Sequence, residues 1–376
     1  MISRRSLLLA SAAAVGCGVH KARAYPGYFL VANQGSRDIA VVDLSRFRVR
    51  KMIPLDAAPA AVVPHPSKPK AYALAPDAGT VYEIDAATMA VSRRVRAGNS
   101  ALGMRVSPRG DALWVLFRDP AMLVELPFNS FRPGRRIPLA APPDDFDLSQ
   151  NGKAAIACSQ ARIIVIASLE RSAIERTVAT GVAAPFVRFR ADSKLLLAGN
   201  GSDRSITFHD VATGKTVVKL PLSFEPRHYG VTADGGQLFL SGEGSDSVAI
   251  VFPYKTEVWQ TILAGRTPMA MAAVPSVPAT YLLVANPTTN SVTILDLATY
   301  NLSAVVDVGN QPGEIVVTPD GRWGLVLNRL SGDMAVIRLD QRSRPSAEHV
   351  LRYKSAPLFT MVPVGDRPVA GAVVAW

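Results

Sequence analysis

Residues 281–321 decide the fold. They read Tyr281-Leu-Leu-Val-Ala-Asn286, then Ser291-Val-Thr-Ile-Leu-Asp296, then Ala304-Val-Val-Asp-Val-Gly309, then Pro312-Gly-Glu-Ile-Val-Val-Thr-Pro-Asp-Gly321. Each piece is a short run of β-branched, aliphatic or aromatic residues bounded by Gly, Asn, Asp or Pro. Such runs are strands, and their boundaries are turns. None is long enough for a helix of three turns.

Working outward, the first strand of this unit recurs eight times. It begins near Tyr28, Ala71, Ala112, Lys153, Leu195, Leu238, Tyr281 and Trp323, at intervals of 43, 41, 41, 42, 43, 43 and 42 residues. The second strand recurs as Ile39–Asp43, Val81–Asp85, Ile206–Asp210, Val292–Asp296 and Met334–Asp340. Four short strands repeated every 40–45 residues predict the blades of a β-propeller. The fold class is therefore all-β: antiparallel four-stranded blades, eight favoured and seven the alternative. The first unit lacks the strand that precedes it in the others, and Val369–Trp376 supplies one at the opposite end. Pairing the two closes the ring and removes an open edge.

The quoted pieces 281–286, 290–296, 309–312 and 319–321 resemble the YVTN-type β-propeller repeat. That family includes surface-layer and YncE-like proteins and is related to lactonase-type and haem d1-type propellers. The resemblance spans roughly residues 25–376, strongest in units one and seven and weakest in three and four. Many relatives have seven blades, whereas a count of eight is nearer the haem d1-type ring. The resemblance implies the fold and leaves the function open.

Residues 1–24 read as an export signal rather than as part of the propeller. Arg4 and Arg5 form the basic start, Leu7–Val15 the apolar stretch, and Ala22-Arg23-Ala24 the cleavage site. Ser3-Arg4-Arg5-Ser6-Leu7-Leu8 resembles a twin-arginine signal. A competing reading is lipid attachment at Cys17. Residues 25–376 form one domain, expected in the periplasm or outside the cell, monomeric and without a transmembrane segment. Removing residues 1–24 lowers the formal net charge from +11 to +7. The remaining basic residues read as scattered, so no specific nucleic-acid binding is expected. Cys158, in an apolar strand, reads as a core residue without a disulfide partner.

The repeated aspartates Asp43, Asp85, Asp210, Asp296 and Asp340 end equivalent strands and read as turn caps. His20, His65, His209, His228 and His349 form no metal set. No catalytic motif and no cofactor motif is present. A candidate site comes instead from propeller geometry, because the loops that enter each inner strand converge on the channel mouth. Most hold small residues, Gly or Pro. The exceptions are Asp144 and Asp145 in one loop, and Glu225, Arg227 and His228, followed by Tyr229, in another. Arg266 and Arg367 read as equivalent positions, with Asn310 and Asp366 alongside. These residues suit a small anionic ligand or an acidic protein segment. The expected function is non-catalytic binding or scaffolding. The alternative is a lactonase-like or haem d1-type, cofactor-handling enzyme using His228 and the mouth arginines.

Overall fold

The computed structural model describes residues 25–339 and 357–375. The export-signal reading, Cys17, Asp340 and His349 lie outside them. The described residues form thirty-two strands, β1–β32, grouped in eight four-stranded antiparallel sheets. Blade 1 is built from both ends of the chain. Its strands β1 (Gly27–Asn33), β2 (Asp38–Asp43) and β3 (Arg48–Pro54) are joined by β32 (Pro368–Ala375), in the order β3-β2-β1-β32. The closing register runs from Gly27 opposite Ala375 to Asn33 opposite Pro368. Blades 2–8 each use four consecutive strands.

The burial pattern explains why the repeat was legible. The second and third strands of a blade are sandwiched between neighbouring blades, so both faces are apolar. In blade 1, Leu30, Ala32, Ile39 and Val41 pack against Ala71, Ala73 and Ile84 of blade 2. Their neighbours Phe29, Val31, Ala40 and Val42 pack on Trp323, Leu325 and Val336 of blade 8. Eight such buried clusters occur among the described residues, one at each blade junction. The ring is thus held by interdigitated side chains all the way round. Cys158, fully buried, belongs to the junction of blades 3 and 4.

Two turns repeat with their chemistry. Where the inner strand turns into the second, a hydroxyl accepts the returning backbone N–H: Ser149 from Lys153 at 2.9 Å, Thr232 from Gln237 at 3.0 Å and Thr318 from Trp323 at 3.1 Å. After the third strand the aspartates cap the turn, as expected. Asp43 accepts from Ser45, Asp85 from Ala87 and Thr88, Asp210 from Thr213, and Asp296 from Ala298 and Thr299. Those carboxylates are committed to backbone N–H groups and form no acidic site.

Junctions between blades 2, 3, 4 and 5 carry an additional tie. Arg93 pairs with Glu83 of its own blade and donates to the carbonyl oxygens of Asn129 (3.0 Å) and Phe128 (2.7 Å) in blade 3. Arg135 pairs with Glu125 and donates to the Leu169 carbonyl of blade 4 at 2.9 Å. Arg176, without an acid, donates to the Ala212 carbonyl of blade 5 at 2.7 Å.

Candidate functional site

The channel is lined by the eight inner strands, so the residues they present at one height can be read from strand register. One such level consists of the inner-strand residues paired with Leu30, Tyr72, Trp114, Ala155, Leu197, Leu240, Leu283 and Leu325. In blades 7, 8, 1 and 2 they are Ala272, Val316, Ala372 and Val63. In blades 3, 4, 5 and 6 they are Arg105, Asp147, Arg188 and Tyr229. Half the ring is small and apolar. The other half is a continuous polar arc.

Arg105, Asp147 and Arg188 each reach toward the next blade, and Tyr229 packs back on Phe186 of blade 5. Arg105 donates to the Phe146 carbonyl at 2.7 Å and lies 3.6 Å from Asp147 and 3.9 Å from Asp145. Asp145 accepts from Arg188 at 2.7 Å and from the Val187 N–H at 3.2 Å. Asp147 accepts the Phe189 N–H at 2.9 Å. Arg188 then stacks over Tyr229, its guanidinium carbon 4.0 Å from the ring centre. Two backbone N–H groups fix the carboxylates, and the carboxylates fix the arginines.

Beside the arc lies a cavity of about 300 Å³, lined among others by Arg105, Asp147, Arg188, Arg190, Tyr229 and Pro253. Arg190 is engaged by Asp192 through two bonds of 2.9 and 2.8 Å. Arg188 is not so satisfied: its Nε–H is buried and donates to no acceptor among the described residues. Burial, and then the positive charge of Arg105, lower its pKa to about 10 against the pull of Asp145 and Asp147. The guanidinium still carries its charge at neutral pH. An unused donor on a buried cation can serve a hydrogen-bond acceptor brought into the cavity.

Of the residues named at the mouth, Asp145 and Tyr229 join this arc. Asp144 accepts from Arg118 at 3.0 Å and from the Ser159 N–H at 2.7 Å. Arg227 turns to Glu225 at 3.2 Å and Glu243 at 4.0 Å, in its own blade. His228 is half-buried on the inner strand of blade 6, paired with Ser241, and burial and then Arg227 lower its pKa. Arg266, Asn310, Asp366 and Arg367 are exposed.

The equivalence of Arg266 and Arg367 needs correcting. The loops read Gly265-Arg266-Thr267-Pro268, Gly309-Asn310-Gln311-Pro312 and Gly365-Asp366-Arg367-Pro368. Thr267, Gln311 and Arg367 share a positive φ of 48°, 57° and 53°. Arg266 therefore matches Asn310 and Asp366, and Arg367 matches Gln311. The loop glycine sits against the last Asn of the second strand: a Cβ on Gly265 would lie 2.4 Å from Asn286, and one on Gly365 2.4 Å from Asn33. These loops are frames for the mouth.

The sequence reading missed Arg105, Asp147 and Arg188. They are charged residues inside β-strands, at Arg105, at Asp145-Phe-Asp147 and at Arg188-Phe-Arg190. Among the described residues no group of His, Cys, Asp and Glu could hold a metal ion, and no helix is long and apolar enough to cross a membrane.

A family model described as "Lactonase, 7-bladed beta-propeller" matches residues 183–350, less than half of the chain. Dihydro-haem d1 dehydrogenase NirN, solved in complex with DHE, has a similar structure: TM-score 0.75 at 16% identity, covering 94% of this chain and 76% of that one. The chain is a β-propeller, similar to the lactonase model over residues 183–350 and to NirN in fold. Hydrazine synthase of Kuenenia stuttgartiensis gives a TM-score of 0.60 at 21% identity, over 76% of this chain and 97% of its own. A functionally unknown protein from Desulfotomaculum acetoxidans gives 0.60 at 12% identity, over 74% and 95%. No curated protein matches the sequence. The family model is named for seven blades, whereas the described residues here make eight.

Proposed function

We propose that this protein is an exported, non-catalytic binding propeller that holds a small anionic ligand against the polar arc of its channel. The observation that carries the reading is Arg188: a deeply set guanidinium, ordered by Asp145, stacked on Tyr229, with one donor unspent beside a cavity. A ligand carboxylate or phosphate meets a donor already held in place, so little side-chain entropy is lost on binding. The carboxylates and arginines of the arc are tied to one another and to backbone groups. That suits holding a ligand rather than transferring protons.

The test is calorimetric titration of the purified protein with a panel of small dicarboxylates and phosphate esters. Binding of at least one class, weakened about tenfold or more in an Arg188→Gln variant that still unfolds cooperatively, is expected. Equal affinity of that variant would overturn the site. Hydrolysis of a small lactone by the unmodified protein, lost in His228→Gln, would overturn the non-catalytic reading in favour of the enzyme alternative.

A further inference from the structure

Exposed basic residues occur on several blades, and one group of them is clustered. Four of the six residues from Arg46 to Lys51 are cationic: Arg46 in the turn, then Arg48, Arg50 and Lys51 on the outer strand β3. All four are exposed. Several cations on or beside other outer strands are matched, whereas Arg96, Arg136 and Arg176 have no carboxylate partner among the described residues. Arg93 has Glu83, Arg94 has Asp56, Lys219 has Asp203, and Lys255 has Glu257 at 3.6 Å. On β3, no carboxylate among the described residues pairs with any of the four.

Beside this stripe lies exposed apolar surface. Met52 of β3 is 38% exposed, and Phe359 and Met361, on the outer strand β31 of blade 8 (Leu358–Pro363), are 46% and 37% exposed. The rings of Phe47 and Phe359 meet at 5.4 Å, so the two outer strands share one rim. Unneutralised cations next to protruding Phe and Met side chains fit a surface with anionic headgroups above an apolar layer.

A free strand edge can also take an acidic peptide as a fifth strand. Here the edge is interrupted. Val41 pairs with Lys51 and Val42 with Val49, leaving Arg50 as a bulge in the middle of β3. A bulge breaks the alternating row of N–H and C=O groups that an added strand needs. A fluid headgroup surface needs no register. We infer that the rim formed by β3 and β31 docks the protein on anionic phospholipid surfaces.

The experiment is co-sedimentation of the purified protein with vesicles of phosphatidylcholine, alone or mixed equally with phosphatidylglycerol. Binding to the mixed vesicles only is expected, released by raising salt from about 0.1 M to about 1 M, where the screening length falls from ~10 Å to ~3 Å. The combined variant Arg46→Gln, Arg48→Gln, Arg50→Gln, Lys51→Gln should bind at least about tenfold more weakly. A control with Arg109, Arg132, Arg136 and Arg162 changed to Gln, exposed cations on other blades, should bind as before. Failure to bind the mixed vesicles, equal binding to neutral ones, salt-insensitive binding, or an equal loss in the control would each overturn the inference. So would retention by immobilised poly-glutamate without binding to vesicles. The lipid and salt comparisons use the unmodified protein and stand even if the variant misfolds.

Discussion

Arg93 and Glu83 form an ion pair in which the carboxylate side chain is 1% exposed, and the same guanidinium crosses to carbonyl oxygens of the next blade. One charge pair thus serves two junctions: within blade 2 it joins the third strand to the outer strand, and through Arg93 it holds blade 3. Burial opposes ionisation of Glu83, but hydrogen bonds from Arg93, Ser92 and Lys70 prevail and hold its pKa at about 2.

Glu83→Ala removes the acceptor shared by Arg93 and Lys70, which water reaches in part, and should cost about 1–3 kcal/mol of stability in urea unfolding. Glu83 is more acidic folded than unfolded, so its contribution is complete above pH 4.5 and is lost as the pH falls toward 2. An unchanged urea midpoint at neutral pH would show that the tie is idle.

Glu314 has the opposite sign. It lies on the inner strand of blade 8 and accepts the N–H of Gly371, on β32, at 3.0 Å. Burial pushes its pKa up to about 7 against the help of that hydrogen bond. The folded protein therefore keeps a proton that the unfolded chain loses near pH 4.5. Its contribution is greatest at low pH and declines as pH rises from 4.5 to 7. Glu314→Gln should flatten that part of the curve of melting temperature against pH. A slope identical to the parent's would refute the assignment.

Closure through β32 gives a third expectation. Deleting Val369–Trp376 should expose β1, whose residues Phe29–Asn33 are fully buried, and cause aggregation or a large loss of stability. A finer probe is Gly371→Val, because a Cβ there would lie 2.2 Å from the Phe29 ring. Overpacking of that kind costs about 1–3 kcal/mol. Monomeric truncated protein with the parent's melting temperature would contradict the closure.

The proposal of export is tested at its signal. Changing Arg4 and Arg5 to Lys should leave uncleaved precursor in the cytoplasm, detected by fractionation and blotting. Undisturbed export would point to the general secretory route, and lipid on Cys17 would remove the cleavage after Ala24.

The fold was legible where burial is two-sided. Strands beginning at Ala112, Lys153, Leu195, Leu238, Tyr281 and Trp323 start at the residues expected, and those at Gly27 and Lys70 one residue earlier. Such strands read as unbroken apolar runs because a neighbouring blade covers each face. The polar arc was not legible, for a reason of spacing. Arg105 lies seven residues before its second strand, Asp147 six, Arg188 seven and Tyr229 nine. Turn lengths vary between blades, so equal heights in the channel fall at unequal places in the repeat. Strand pairing restores the alignment that counting cannot. The mouth loops misled for a related reason, since the positive φ that sets their register can fall on Thr267, Gln311 or Arg367 as well as on glycine.

The pairing of β1 with β32 also sets an order in time. Blades 2–8 are each assembled from neighbours in sequence, so each can form as soon as its own four strands exist. Blade 1 must wait for residues from nearly the whole length of the chain away. Its completion is the slowest contact to find, because the most distant segments must meet. The circle behaves as a clasp fastened last, and until it is fastened the edge of β1 is the part of the nascent molecule that other chains can reach.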